Sequence, residues 1–186
     1  MNIKFRLLGT GSSMGVPRVD GFFGNCNPKI KKNYRTRCSA LISFDKSNIL
    51  IDTSPDLRQQ LLDAKIKTLN GVLYSHFHAD QTHGINDLRT FFLNNGIQIP
   101  VYCDEMTSMY LKNNFSYCFK KNYDYDPILK FCKLKKEFKI KMSKKFLKIL
   151  SIPVRHGSIN SIAYIIEKKI AYLSDVNEIY LKDMKY

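Results

Sequence analysis

Short apolar runs separated by polar segments with glycine and proline recur along the whole chain, a pattern typical of a domain built mainly from strands. In the first part of the chain these runs predict strands at Ile3–Leu8, Cys38–Phe44, Asn48–Asp52, Gly71–Ser75 and Ile99–Cys103. In the second part they predict strands at Glu137–Met142, Phe146–Ile152, Ile162–Glu167 and Ile170–Ser174. The stretch 133–148 alternates lysine with apolar residues, which indicates a half-exposed hairpin.

Apolar residues at helical spacing interrupt the strands in several places. They predict helices over residues 53–64, 85–95 and 104–114, and a last helix that begins within residues 175–186. Residues 115–136 show no clear period. Residues 9–28 form a loop too long for a simple turn, and ordered loops of this length are often functional. Strands with interspersed helices are compatible with an α+β fold.

The composition favours one globular domain over residues 1–186. The chain is 44% hydrophobic and 12% aromatic, and 186 residues fit a single core. No apolar run approaches the roughly 20 residues that a membrane helix needs, and the N-terminus does not resemble a cleavable signal. The sequence therefore predicts a cytoplasmic protein that does not bind membranes.

Cysteine usage bears on the redox state. The chain has an odd number of cysteines and no C-x-x-C pair, the residues being Cys26, Cys38, Cys103, Cys118 and Cys132. This usage suits reduced thiols rather than a disulfide framework. The favoured interpretation of each is a buried free cysteine.

The charge is strongly basic. Thirty lysines and arginines stand against sixteen acidic residues, which gives a formal charge of +14. Such a charge attracts phosphate-bearing substrates or nucleic acid. The basic residues are mostly lysine, however, in a chain also rich in asparagine and isoleucine, so a solvated lysine surface explains the charge equally well. Both interpretations stay open.

The segment SHFHADQTHG, residues 75–84, holds three of the four histidines of the chain and one acid. Directly after a predicted strand, His76 and His78 can aim their imidazoles at one point, and Asp80 can face the same centre. Three histidines within eight residues beside an acid favour a metal site over a hydrogen-bonded turn. The metal is a divalent ion, with zinc favoured and manganese or iron as alternatives.

Later residues extend this set. His156 in PVRHGS and Asp175 in AYLSD each follow a predicted strand, as distant metal ligands often do. Each alone would be an ordinary surface or capping residue, so their weight comes from the combination. Asp52 in ILIDTSPD ends another strand, where its carboxylate either orients a ligand histidine or caps the next helix.

Four of these motifs, ILIDTSPD, SHFHADQTHG, VRHGS and AYLSD, resemble the successive motifs of the metallo-β-lactamase superfamily. The segments LLGTGSSMGVPR and NPKIKKNYRTRCSALI resemble its phosphodiesterase branch, typified by phosphoribosyl cyclic phosphate phosphodiesterase. The resemblance covers essentially the whole chain. It implies a four-layer αββα sandwich with metals in a cleft at one edge of two sheets, here without the usual C-terminal end.

The resemblance also implies roles for individual residues. The first metal would be bound by His76, His78 and His156, and the second by Asp80 and Asp175, with Asp175 bridging both. Family members usually carry histidine where this chain has Gln81, and an amide is the poorer zinc ligand, so Gln81 is expected to support the site. His83 is the candidate replacement ligand, with a supporting role as the alternative. We therefore expect one tight metal site and a weaker second site.

A bound divalent metal lowers the pKa of water to about 7, so these residues predict hydrolysis at neutral pH. Asp80 would be the catalytic carboxylate that orients the attacking water. The first hypothesis is a phosphodiesterase for a small cyclic or nucleotide-like ester. The phosphate oxygens would be bound by the glycine loop and by arginines, the candidates being Ser12, Ser13, Arg18 and Arg89.

Two alternative functions stay open. The charge of +14 motivates an RNA-processing nuclease of the transfer-RNA 3′-end type, although no RNA-binding motif interrupts the chain. A degenerate member that binds metal without turnover is the other, because Gln81 and the end at Tyr186 depart from the family pattern. The expected partners are a small phosphate ester or nucleic acid, with a homodimer as an alternative to a monomer.

Overall fold

The apolar runs of the sequence form two stacked β-sheets in a computed structural model, which describes residues 3–123 and 125–183. The first sheet contains, in sequence order, β1 (Lys4–Gly9), β2 (Ser39–Phe44), β3 (Ser47–Ile51), β4 (Gly71–Leu73), β5 (Ile99–Cys103) and β6 (Leu129–Lys133). The second contains β7 (Glu137–Met142), β8 (Lys145–His156), β9 (Ile159–Ile166) and β10 (Ile170–Tyr172), arranged β10-β9-β8-β7. Each strand predicted from the sequence is confirmed, and β6 lies in the segment without a clear period.

The two sheets differ in strand direction. In the first sheet β1, β2 and β3 pair antiparallel, whereas β3, β4, β5 and β6 pair parallel. In the second sheet all neighbouring strands are antiparallel. β7 and β8 form the hairpin predicted from the lysine-rich stretch, with Met142 opposite Lys145.

Four α-helices are present in the described residues: α1 (Leu57–Ala64), α2 (Ala79–Thr82), α3 (Arg89–Asn95) and α4 (Glu105–Asn114). The helix predicted over 53–64 begins later, because Thr53 N instead donates to Gln81 O at 2.7 Å. The helix predicted over 85–95 is a 3₁₀ turn, Ile85–Leu88, followed by α3. No helix in the described part of the chain is long and apolar enough to cross a membrane.

The helix predicted within residues 175–186 is wrong at its start. Asn177 N donates to Arg155 O at 2.7 Å, so this segment pairs with the end of β8 instead of coiling. A short 3₁₀ turn follows at Leu181–Asp183. Residues 184–186 of the predicted helix lie outside the described residues.

Alternation along the first sheet divides its side chains between two hydrophobic cores. One core packs the sheet against the helices and includes Leu41, Leu50, Val72, Leu57, Phe91 and Leu111. The other packs it against the second sheet and includes Ile42, Ile49, Leu73, Ile149, Ile162 and Tyr164. Of the four layers of the expected αββα sandwich, these cores define three, one of helices and two of strands.

Candidate metal centre

The candidate site lies at one edge of the sandwich, where loops from both sheets meet. β3 and β4 are parallel, so Asp52 after β3 and His76 after β4 emerge at the same edge. β8 of the second sheet ends at His156. The two sheets are joined there by Ile162 N, which donates to Ser75 O at 2.8 Å. Residues far apart in the sequence are thereby brought to one place.

Three imidazoles converge at this edge. His78 Nδ1 lies 3.0 Å from His76 Nε2 and 3.3 Å from His156 Nε2. Burial, together with the charges of His78 and His156, lowers the pKa of His76 to about 3. The His76 ring is therefore neutral at pH 7, the form in which an imidazole binds metal. The structure brings together the three histidines predicted from the sequence.

Hydrogen bonds run from Asp52 through Ser75 to the Nδ1 atom of His76 and orient its ring. The buried Asp52 carboxylate accepts hydrogen bonds from Ser75 N at 2.7 Å and from Ser75 Oγ at 2.8 Å, and Ser75 Oγ lies 3.0 Å from His76 Nδ1. When Asp52 is ionised, Ser75 donates its proton to the carboxylate and accepts one from Nδ1. That tautomer directs the lone pair of Nε2 towards the other two histidines.

The protonation of Asp52 is coupled to this arrangement. Burial raises the pKa of Asp52 to about 8, and the two hydrogen bonds from Ser75 act in the opposite direction. A nearby cation would favour the ionised carboxylate and the metal-binding tautomer with it. Asp52 therefore supports His76 through Ser75. The alternative interpretation, that Asp52 caps the next helix, is wrong, because Asp56 is the N-cap residue of α1.

A second cluster lies beside the histidines. Ligand atoms of Cys38, Asp80 and Asp175 lie within 4.8 Å of one another. Gln81 is fully buried, and its Nε2 lies 3.0 Å from Asp80 Oδ2, 3.1 Å from Asp175 Oδ2 and 3.5 Å from Cys38 Sγ. Asp175 Oδ2 also lies 3.8 Å from His76 Nε2, so this carboxylate stands between the two clusters.

Burial and negative charge dominate the second cluster. Burial, and after it the charge of Asp80, raises the pKa of Asp175. Burial also raises the pKa of the Cys38 thiol to about 12, with further contributions from Asp52, Asp175 and Asp80. These side chains repel one another when ionised. A divalent cation between them would reverse that balance.

Ser75 and Cys38 are residues of this site to which the sequence analysis gave no role. All five cysteines are free, as expected, but the prediction that each is buried holds only for Cys103 and Cys118. Cys26 is exposed, Cys132 is half-buried, and Cys38 is half-buried beside two carboxylates. The start of β2 pairs antiparallel with the end of β3, with Ala40 opposite Ile51, which places Cys38 beside the segment containing Asp52. The register of the hairpin formed by β2 and β3 is the feature from which the position of Cys38 could have been predicted.

An ion pair between Arg37 and Asp56 anchors the residue that precedes Cys38 in the sequence. Asp56 accepts hydrogen bonds from Arg37 N at 2.9 Å, Nε at 2.9 Å and Nη2 at 2.7 Å. Gln60 Nε2 donates to Arg37 O at 2.8 Å. Helix α1 thereby holds the residue before Cys38 by both its backbone and its side chain.

Asp56→Asn is expected to lower the free energy of unfolding by about 1–2 kcal/mol at pH 7, because neutral hydrogen bonds replace charge-assisted ones at a partly exposed pair. Hydrogen bonds from Arg37 hold the pKa of Asp56 below its ordinary value of 3.8. The difference between the two proteins should be full above about pH 5 and vanish as the pH falls through the folded-state pKa. Urea unfolding at several pH values measures it.

The matched control is Asp63→Asn. Asp63 is an exposed acid on the same helix and accepts a hydrogen bond from the neutral amide of Gln59 at 2.9 Å. It should change the stability little. Equal losses in the two variants would contradict the anchoring role of Asp56.

The candidacy of His83 as a metal ligand needs correction. His83 is exposed, its Nδ1 lies 3.1 Å from Thr82 Oγ1, and its ring packs edge-on against Phe115 with centroids 5.5 Å apart. It belongs to neither ligand cluster found among the described residues. The turn after α2 presents it to the aromatic side chain instead of the two carboxylates.

The predicted phosphate-binding residues are held in different ways. Ser12 and Ser13 are exposed, in a loop tied to the segment before Cys38 by Gly11 N, which donates to Thr36 O at 2.7 Å. Arg18 forms an ion pair with Asp20. The guanidinium of Arg89 lies 4.4 Å from the ring centroid of Tyr125. The loop thus reaches the region of the site, while both arginines have local partners.

The donor atoms fit divalent metal ions. Three imidazoles facing one point form the set that binds zinc while leaving a position open. Beside them, two carboxylates without a lysine or arginine partner among the described residues surround the amide of Gln81, whose Oε1 is buried without a hydrogen-bond partner.

Helices on stacked sheets, with histidines and aspartates at the strand ends, define the metallo-β-lactamase class of hydrolases. Residues 47–185 match the model of the beta-lactamase superfamily domain, which is more than half of the chain, and the chain therefore belongs to the beta-lactamase superfamily. The fold and the membership expected from the motifs are confirmed.

Solved structures and one curated protein are similar to this chain. A diphosphatase from the PhnP family is 29% identical with a TM-score of 0.83, over 99% of this chain and 70% of that chain. The short form of human tRNase Z is 16% identical with a TM-score of 0.60, over 96% of this chain and 71% of that one, and shows the fold alone. An octanoyltransferase of Porphyromonas gingivalis is 34% identical over 181 residues, 96% of this chain. The chain spans 36% of that protein's length.

Proposed function

We propose that the chain is a metal-dependent hydrolase of a small phosphodiester, cyclic or nucleotide-like. The observation that carries the proposal is the contact between the histidine cluster and the aspartate cluster through Asp175. Its carboxylate lies within 4 Å of both His76 Nε2 and the Gln81 amide. When bound, divalent metals supply Lewis acidity and an activated water at neutral pH.

The side chains of this site have distinct proposed roles. The three imidazoles would hold the first metal, and Asp175 would contribute its carboxylate beside both clusters. Asp80, which is partly buried, orients the attacking water and accepts its proton, since a carboxylate within hydrogen-bond reach is a general base. Ser75 and Asp52 keep the ring of His76 in the tautomer that binds metal.

The substrate would lie against the glycine loop of residues 9–15. Gly11 pairs with Arg37, one residue before Cys38, so the loop lies beside the second cluster. Backbone amides and the exposed hydroxyls of Ser12 and Ser13 can donate to phosphate oxygens. Arg18 and Arg89 would have to exchange their present partners, Asp20 and Tyr125, for the phosphate.

Hydrolysis of bis-(p-nitrophenyl) phosphate tests the proposal. The purified chain loaded with zinc or manganese should release p-nitrophenol, and a chelator should abolish the reaction. Asp80→Ala should lower kcat by about 10²–10⁴-fold, the usual contribution of a general base. Asp126→Ala, at an exposed acid paired with Lys121, is the control and should keep the rate. Activity that survives both the chelator and Asp80→Ala would refute a metal-dependent mechanism.

RNA is the second candidate substrate, favoured by the charge of +14. Cleavage of transfer-RNA precursors should then weaken steeply with salt, because phosphate contacts release counterions. Flat salt dependence, with hydrolysis of the small ester intact, would exclude this candidate. Octanoyl transfer is not proposed, because the name describes a protein of which this chain spans only 36%.

A further inference from the structure

We propose that Cys38, Asp80 and Asp175 form a thiolate-containing site for a second divalent metal ion, with Gln81 as its fourth ligand. The inference rests on the metal-binding part of the proposed function and holds whichever ester is hydrolysed. It assigns roles to Cys38 and Gln81 that the motifs do not contain. It also gives the second site a soft donor.

The position of Gln81 is the first argument. Its Nε2 has two hydrogens, yet it faces three acceptors, at 3.0 Å from Asp80, 3.1 Å from Asp175 and 3.5 Å from Cys38. The amide therefore lies next to all three side chains, at distances typical of ligand atoms that share one metal ion. An amide hydrogen carries only a partial positive charge, whereas a cation among these groups would satisfy all three donors.

The other atom of the same amide gives the second argument. Gln81 is fully buried, and Oε1 has no hydrogen-bond partner among the described residues. A half-turn about the last side-chain bond exchanges the two atoms and points Oε1 at the carboxylates. That orientation is repulsive without a cation and favourable with one, so the orphaned oxygen becomes a ligand when metal binds.

The charges around the site also support a bound cation. Arg37 attracts Asp80 electrostatically, but its ion pair is with Asp56, and none of the lysine or arginine ion pairs identified within the described residues involves Asp80 or Asp175. Both carboxylates are partly buried, a setting in which acids are usually paired or bound to metal. On binding, a bond forms between Cys38 Sγ and the metal, and the thiol proton passes to the buffer.

The donor set predicts metal preference. A thiolate favours zinc and cobalt over manganese, whereas two carboxylates and an amide oxygen alone would suit manganese. The second site should therefore prefer zinc. This replaces the expectation from Gln81 alone, which was a weaker second site.

Cobalt titration of the full chain, freed of metal and kept reduced, tests the inference without an activity assay. Two equivalents of Co²⁺ should bind, and a thiolate-to-cobalt charge-transfer band should grow with one of them. Cys38→Ser should lose the band and weaken the second site by roughly 100-fold or more, since removing a partner of a ligand already costs about 10–100-fold. The visible bands of cobalt held by the histidines should remain.

Cys132→Ser is the matched control, because Cys132 is also a half-buried free thiol but lies in β6. It should keep both equivalents and the band. A band that persists in Cys38→Ser, or a second cobalt bound without any band, would overturn the inference while leaving the proposed function standing. Failure to bind any cobalt would overturn both.

Gln81→Glu gives a second measurement that does not depend on how Cys38 variants fold. Glutamate cannot donate to the carboxylates and is a stronger ligand than an amide. The midpoint for the second cobalt should shift to lower concentration. A shift to higher concentration, or none, would contradict the role of Gln81 as a ligand.

Discussion

His156→Ala is expected to remove the metal that we propose the three histidines hold, and with it the proposed hydrolytic activity. The variant removes the imidazole of His156, whose Nε2 lies 3.3 Å from His78 Nδ1. Loss of a ligand should weaken metal binding by more than the about 10–100-fold that follows loss of a supporting residue. Elemental analysis of the purified variant, and a metal titration of it, measure the effect.

The matched control is His83→Ala, which changes a histidine of the same motif. His83 contacts Thr82 and Phe115 and belongs to neither ligand cluster of the described residues. It should keep the metal content of the unmodified chain. Loss of metal in His83→Ala with retention in His156→Ala would reverse the assignment of these two residues.

Gly84→Ala is expected to destabilise the fold by about 3 kcal/mol or more, the upper range of overpacking. A Cβ at Gly84 would lie 2.0 Å from Ser54 O and 2.8 Å from Leu57 Cβ, so either the backbone or α1 must move. Gly84 N also donates to Thr53 O at 2.9 Å, which holds the end of the histidine motif against that loop. Urea unfolding of the metal-free protein measures the loss.

Gly71→Ala provides the comparison. Gly71 is also buried, but a Cβ there would meet its nearest neighbour, Pro100 O, at 3.4 Å. The expected loss is therefore much smaller. Similar unfolding free energies for the two variants would show that the loop around Ser54 yields without resistance.

Local sequence was informative where ligands lie close together along the chain. Residues two apart after a strand share a centre, so His76 and His78 could be placed without knowledge of the rest of the fold. Hydrophobic patterning likewise predicted every strand except β6, together with the hairpin of β7 and β8. The geometry of a single strand or turn decides these features, and nearby residues determine that geometry.

Distant residues needed the family resemblance or the structure itself. Nothing local to PVRHGS or AYLSD distinguishes a ligand from a surface residue. His156 and Asp175 were placed by the order of motifs, and the structure then gave the contacts. The prediction of a C-terminal helix was wrong for the same reason, because Asn177 pairs with the distant Arg155 and this contact overrides the local helical preference.

By itself the sequence determined most strands along the chain and the local histidine motif, because periodicity and spacing act over a few residues, and this pattern was compatible with an α+β fold. Only the tertiary structure decided that Cys38 lies beside Asp80 and Asp175 and that Gln81 contacts all three. It also decided that His83 packs against Phe115, outside both ligand clusters. The physical reason is that the antiparallel register of β2 and β3 and the packing of two sheets set these contacts. Both depend on residues distant in the sequence.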